Sequence, residues 1–223
     1  METVLNDAEV RVLGSLVEKQ LTTPEYYPLT LNALTNACNQ ISNRDPVVSY
    51  DEETVVRALD GLRAKGFAHV VYASNSRVPK YKHTMMDALA FTQQQELAVM
   101  CVLLLRGPQT LGEIRGRTER LYSFRGLPEL EATLEALMSR EQGALVTRLP
   151  RLTGQKEARY AHLLAGEVKV DERETERRPV EPATAVVRAS DERVARLEEE
   201  VAALRGELAE LRQQFGEFKK QFE

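Results

Sequence analysis

Three histidines and two cysteines are the side chains of this sequence best suited to metal ligation or nucleophilic catalysis, and their spacing serves neither. His69 and His162 sit in short strand-like stretches and His83 ends another; none has a cysteine, an aspartate or a second histidine at ligand spacing. The work expected of His83 and His162 is a side-chain hydrogen bond within a hairpin. Cys38 and Cys101 lie far apart inside helical apolar patterns, outside any CxxC pair, and read as small buried hydrophobes. With no glycine-rich phosphate loop, metal motif or nucleophile elbow, the chain reads as a non-enzymatic protein with no cofactor and no metal.

Cationic side chains are the remaining candidates, and their chemistry is the gripping of anions. Arg115, Arg117, Arg120 and Arg125 crowd one helical stretch and the turn after it, while Arg148, Arg151, Lys156 and Arg159 crowd a later hairpin. Converging, they would hold a phosphate backbone or an acidic protein surface; scattered, they are solvated charges answering Glu113, Glu119 and Glu157. A second set, Asn39, Gln40, Asn43 and Arg44, lies between two helices. It has a binding reading, toward a nucleic-acid backbone or a peptide. It also has a structural one, which is favoured, because Asn, Asp and Pro close helices and shape turns. The net charge is −4: residues 1–90 carry 9 basic and 11 acidic side chains, 91–166 carry 10 and 8, and 167–223 carry 11 and 15. Only the middle segment is basic, and nonspecific DNA affinity depends on Lys and Arg neutralising phosphates.

The elements that must position these residues follow from an internal repeat. Pro28-Leu29-Thr30-Leu31 with Leu34 is matched eighty positions on by Pro108-Gln109-Thr110-Leu111 with Ile114, each Thr standing where a helix N-cap belongs. Lys80-Tyr81-Lys82-His83 is likewise matched by Arg159-Tyr160-Ala161-His162. In each copy the pattern runs through three helices and then two short strands. In the first copy, Asn6 with Glu9 reads as a capping box before Val10, Leu13 and Val17, and a second helix covers 30–39. Ser49 with Glu52 reads as another box before Val56, Leu59 and Leu62, and a hairpin turns at residues 74–76. In the second copy, helices are predicted over Leu97 to Leu104, 110–121 and 127–140, and strands over 144–149 and 158–163. The first of these helices is apolar almost all round, which implies burial on more than one side, against the first copy.

Three helices and a two-stranded wing describe the winged form of the helix-turn-helix unit. The fold class expected is mainly α with small β-hairpins (α+β), with winged-helix domains at 1–88 and 89–166. Its recognition helices would open with Asp51, Glu52 and Glu53 in one copy and Glu129 and Glu131 in the other. Those carboxylates favour the helix dipole and repel phosphate.

A charged, proline-containing linker is read at 167–188, followed by a coiled coil at 189–223. Val194, Val201, Leu208, Phe215 and Phe222 take heptad position a; Leu197, Leu204, Leu211 and Phe218 take d. Each charged pair from g to the next e on a parallel partner has opposite signs, Arg193 with Glu198, Glu200 with Arg205 and Glu207 with Arg212. The antiparallel arrangement would bring Glu200 to Glu207, so a parallel homodimer is expected. Packing of this helix on its own domains, or pairing with another protein, remains open.

The stretch containing Glu18-Lys19-Gln20, Thr22-Thr23-Pro24, Tyr27-Pro28-Leu29, Ala37-Cys38-Asn39-Gln40 and Ser42-Asn43-Arg44-Asp45-Pro46 resembles the bacterial YceH family. So do Leu105-Arg106-Gly107-Pro108-Gln109-Thr110, Gly112-Glu113-Ile114-Arg115 and Leu149-Pro150-Arg151 in the second copy; the likeness spans residues 5–166. It implies a tandem winged-helix fold in the bacterial cytoplasm and carries over no activity, substrate or cofactor. Met1-Glu2-Thr3 opens without a basic segment and apolar run, and the apolar run at 98–105, even with Leu97 before it, is far shorter than a membrane span. A cytoplasmic protein without membrane contact is therefore expected. Two functions stay open: a homodimeric regulator that binds DNA, and an adaptor that binds an unidentified protein.

Overall fold

Asn6 and Glu9 open the first helix, α1 (Asp7–Thr22), by a reciprocal box: the Asn6 side chain accepts from the Glu9 amide at 2.9 Å, and the Glu9 carboxylate accepts from the Asn6 amide at 2.8 Å. This is the start of a computed structural model that describes residues 4–72, 78–151 and 157–166. The chain divides into Met1–Arg178 and Pro179–Glu223, and all described residues belong to the first unit. The expected linker and coiled coil, the turn at 74–76 and Lys156 lie outside the described residues.

After α1 and a 3-10 turn (Pro24–Tyr26) come β1 (Leu29–Thr30), α2 (Leu31–Cys38), α3 (Glu52–Ala64), β2 (Ala68–Val71) and β3 (Lys80–His83). A helical turn, α4 (Met85–Ala88), leads to the second series: α5 (Gln94–Arg106), β4 (Gln109–Thr110), α6 (Leu111–Thr118), α7 (Leu127–Met138), β5 (Val146–Arg148) and β6 (Arg159–His162). The class is mixed α+β, and the two series have one topology. Each forms a three-stranded antiparallel sheet in which the last strand is central, ordered β1-β3-β2 and β4-β6-β5. The registers agree as well: Leu29 opposes Tyr81 as Gln109 opposes Tyr160, and Ala68 opposes His83 as Val146 opposes His162.

The helix starts repeat too. Thr30 caps α2 by accepting from the Ala33 amide, and Thr110 caps α6 by accepting from the Glu113 amide. Glu96, at the position equivalent to Glu9, accepts from the amides of Thr92 and Gln93. One expected cap is corrected. Asp51, not Ser49, stands before α3, its carboxylate accepting from the Thr54 amide at 2.8 Å, and the helix buries Val55 while Val56 is only half-buried. A carboxylate directly adjoining the first turn reaches the third amide of the helix and meets its positive end, an advantage that a hydroxyl two residues earlier lacks. Gly66, at φ 77°, stops the chain after α3 in a conformation that side chains with a Cβ disfavour. The short strands β1 and β4 and the turn α4 have no counterpart in the sequence expectation, because two-residue strands show no periodicity.

Helices α1 and α5 are central. Residues 9–18 of α1 and 96–106 of α5 are all buried, and the two helices pack on each other. Helix α1 also meets α2, α3 and β3, while α5 meets α6, α7 and β6, so one apolar core runs through both halves. Burial of α5 on several sides is as its apolar periphery implied. Close approach needs a small residue: a Cβ on Gly14 would stand 2.8 Å from Leu105 Cδ2 and 3.1 Å from Leu104 Cβ. The halves are also tied by backbone, Leu5 N–H to Leu164 O at 2.7 Å and Asp45 N–H to Leu105 O at 2.9 Å.

Overpacking this seam by Gly14→Val is expected to remove about 1–3 kcal/mol of stability in urea unfolding. Gly116→Ala on α6, where nothing lies within 4 Å of the added carbon, is expected to stabilise by about 0.5–1 kcal/mol instead.

Candidate functional site

Between α2 and α3 the chain runs without regular structure past the ends of α1 and α5, and its backbone groups need partners. Asn39 supplies two, its side chain donating to Tyr50 O at 2.7 Å and accepting from the Tyr50 amide at 2.8 Å. Two interior arginines supply others. Arg11 of α1 donates to Cys38 O and Pro46 O. Arg44, 0% exposed, donates to Ala37 O through Nε and Nη2 (3.2 and 2.8 Å), to Asn43 O at 3.1 Å and to Gln40 Oε1 at 3.0 Å. The carbonyls of Ala37 and Cys38 belong to the last turn of α2, whose acceptors point out unpaired and carry the negative end of the helix dipole. Arg44 is itself neutralised by a bidentate pair with Glu18 at 2.9 and 2.7 Å. Burial, and after it the nearby Arg44, pulls the Arg11 guanidinium below its usual value.

Fixing this loop creates a recess between the halves, with a cavity volume of ≈ 250 Å³. The first half contributes Lys19 and Thr23 from the end of α1 and Gln40, Ser42 and Asn43 from the loop; the second contributes Arg106 from α5 and Arg117 and Arg120 from and just after α6. Lys19 Nζ donates to Gln40 Oε1 at 3.3 Å and lies 3.6 Å from Glu18. Arg106, 8% exposed, donates through Nη2 to Asn43 Oδ1 at 2.8 Å. Asn43 has φ 60°, a left-handed conformation that asparagine tolerates better than most residues. Cys101 also borders the recess, and burial pushes its thiol well above the usual range, so it is not a nucleophile at neutral pH.

The arginines singled out in the sequence therefore divide. Arg117 and Arg120 face the recess; Arg148 and Arg151 line a separate groove of ≈ 490 Å³ beside Glu131, Glu157 and Tyr160. Arg159 is engaged, donating to Pro108 O at 2.9 Å and to Glu113 at 3.2 Å. Arg115 and Arg125 are exposed and line neither. Of the amide-rich set, Arg44 and Asn39 serve the loop, whereas Gln40 and Asn43 reach the recess. Lys19 and Arg106 were not singled out, although both stand in the motifs quoted above; their signal was position at the ends of the two buried helices.

His83 is structural. His83 Nδ1 accepts from the Met85 amide at 3.2 Å, just beyond the hairpin, and the Tyr27 hydroxyl accepts from the His83 amide at 2.7 Å. Burial holds the rings of His83 and His162 down to about 4, neutral at pH 7. His162 does not make the expected bond through Nδ1, which has no partner among the described residues. Among those residues no three of His, Cys, Asp and Glu come together to hold a metal ion, and no helix is long and apolar enough to cross a membrane.

Residues 5–155, a span that includes the loop, the recess and both halves, match the family described as "Protein of unknown function, DUF480". The chain belongs to the DUF480 family. It is similar to a "UPF0502 protein" of Opitutus terrae, 60% identical over 171 residues, covering 77% of this chain and 74% of the relative. The same printed name goes with a Geotalea daltonii protein, 56% identical over 198 residues (89% of this chain, 88% of the relative). It goes too with a Solibacter usitatus protein, 51% identical over 199 residues (89% and 91%). The likeness read from the sequence is thus met at the level of a family of unknown function, under the names DUF480 and UPF0502. Within that DUF480 span lie Glu18, Arg44 and every recess residue named, together with Arg148 and Arg151; Arg159 lies beyond it.

Removing the bidentate partner of Glu18 is expected to be severe, because a buried carboxylate would lose both of its short contacts and keep only Lys19, 3.6 Å away. Arg44→Met should lower stability by about 3–5 kcal/mol in urea unfolding, and Arg44→Met with Glu18→Leu should recover part of that loss.

Proposed function

We propose that this chain is a non-catalytic winged-helix regulator of the bacterial cytoplasm that contacts double-stranded DNA through its second half. The observation that supports this reading is the topology, which runs helix, strand, helix, helix, strand, strand in each half, with the last strand central in each sheet. That is the order of a helix-turn-helix followed by a wing. On this reading residues 1–88 and 89–166 are the two winged-helix domains, and 189–223 pairs with its copy as a parallel coiled coil. The exposed Arg115, Arg120, Arg125, Arg148 and Arg151 of the second half neutralise phosphates. The acidic first turn of α3, with Asp51, Glu52 and Glu53 all exposed, stays away from the backbone, so binding is driven by phosphate contacts more than by base readout.

One observation favours a second reading, an adaptor that binds a protein. Helix α7, in the recognition position, contains no Lys or Arg and presents Leu127, 40% exposed, beside Glu131.

Fluorescence anisotropy of a labelled duplex across a salt series separates the two. For DNA binding, log K should fall linearly with log salt, and Arg148→Ala and Arg151→Ala should each reduce the slope by about 1. Negligible binding at the lowest salt, or a flat slope, rejects the DNA reading and leaves the adaptor. Sedimentation equilibrium of the intact chain beside one ending at Arg188 tests the dimer: a doubled particle mass for the intact chain alone is expected, and equal monomer masses overturn it.

A further inference from the structure

We infer that the recess between the halves is a binding site for a small phosphate-type oxyanion, sharing only Arg120 with the surface proposed to contact DNA. Four basic side chains, Lys19, Arg106, Arg117 and Arg120, border it from both halves. Of the carboxylates beside them, Glu18 is held bidentately by the buried Arg44, and Glu113 lies 3.9 Å from Arg117. The basic groups named, Arg44 included, still outnumber the carboxylates named, in a protein whose net charge is −4. Ordinary surface charge does not produce this. Arg106 is nearly buried, and its guanidinium is held at the recess wall by Asn43, a residue fixed in turn by the loop. Hydroxyl and amide groups of Thr23, Ser42 and Gln40 add neutral hydrogen-bonding capacity beside the cations.

Planar guanidiniums with an ammonium suit a ligand presenting several oxygens in different directions, which describes a phosphate group better than a single carboxylate. Size narrows the choice further. At ≈ 250 Å³ the recess lies below the roughly 300–1,000 Å³ typical of sites for drug-sized ligands. The occupant is a phosphate, a diphosphate or a small phosphate monoester, and a nucleotide base would remain outside. Such a ligand bridges α1 and the loop to α5 and α6, so binding adds a contact across the seam and raises the stability of the folded chain by mass action.

The inference does not rest on the DNA reading, and its test contains no DNA. The intact chain is titrated calorimetrically with pyrophosphate and, separately, with inorganic phosphate, against sodium chloride of equal ionic strength, and its thermal midpoint is followed in parallel. Saturable binding with a rise in midpoint is expected for at least one of the two phosphates. Arg120→Gln and Lys19→Gln should each weaken it by about tenfold or more, the loss of a charge-assisted contact. Arg115→Gln, on α6 but outside the recess, should leave affinity unchanged, and the midpoints of all three variants without ligand should stay near that of the parent. Absence of saturable heat with both anions overturns the inference. So does unchanged affinity in both recess variants, and so does an equal loss in Arg115→Gln, which would mean attraction to net surface charge alone.

Discussion

A loop that is neither helix nor strand, lying against the buried ends of two helices, has to find partners for its own peptide groups, since each one left unpaired away from water costs about 1–3 kcal/mol. Here Arg11 and Arg44 meet that requirement from inside the protein, reaching carbonyls of Ala37, Cys38, Asn43 and Pro46. Glu18 makes the arrangement tolerable by offsetting one of the two buried charges. With the loop held, the Asp45 amide can cap the last turn of α5 at Leu105, and Asn43 can hold Arg106. The position of the second half's central helix against the first half thus depends on a polar device as well as on the apolar seam at Gly14.

Charge is distributed accordingly. Carboxylates stand at the outward first turn of α3, where they suit the helix dipole, and basic side chains gather at the junction, where α1, α5 and α6 end. A sum over the sequence conceals this, because the two populations nearly cancel. The arginines of the second half belong to different neighbourhoods, one facing inward to the seam and another lining the groove beside the wing. They are best regarded as groups with separate tasks.

Most of the fold was legible in the sequence. The repeated Pro-x-Thr-Leu and aromatic-x-His patterns located equivalent caps and strands, and the apolar circumference of α5 announced its burial. What escaped was short or tertiary in origin. Strands β1 and β4 are two residues long and exist only because β3 and β6 offer a free edge. The start of α3 was misplaced because two residues could each cap it, and the Asp51 carboxylate is the one that bonds the third amide. Arg44 shows the limit for the site: in sequence it is one more charge in a polar run, and only the approach of Glu18 and of the open end of α2 makes it an interior residue. The recess was invisible for the same reason, since Lys19 and Arg120 are about a hundred positions apart and meet only through the packing of α1 on α5.

The hydrogen bond from Leu5 to Leu164 gives the duplicated architecture a property that neither copy has alone. The strand-end of the second copy closes on the helix-start of the first, so the path through the two repeats comes back to where it began. Between residues 5 and 164 the two repeats thus make a closed path, a ring in connectivity. The contacts that define it do not record where along the ring the polypeptide was opened, and a circularly permuted gene would encode the same set of neighbours.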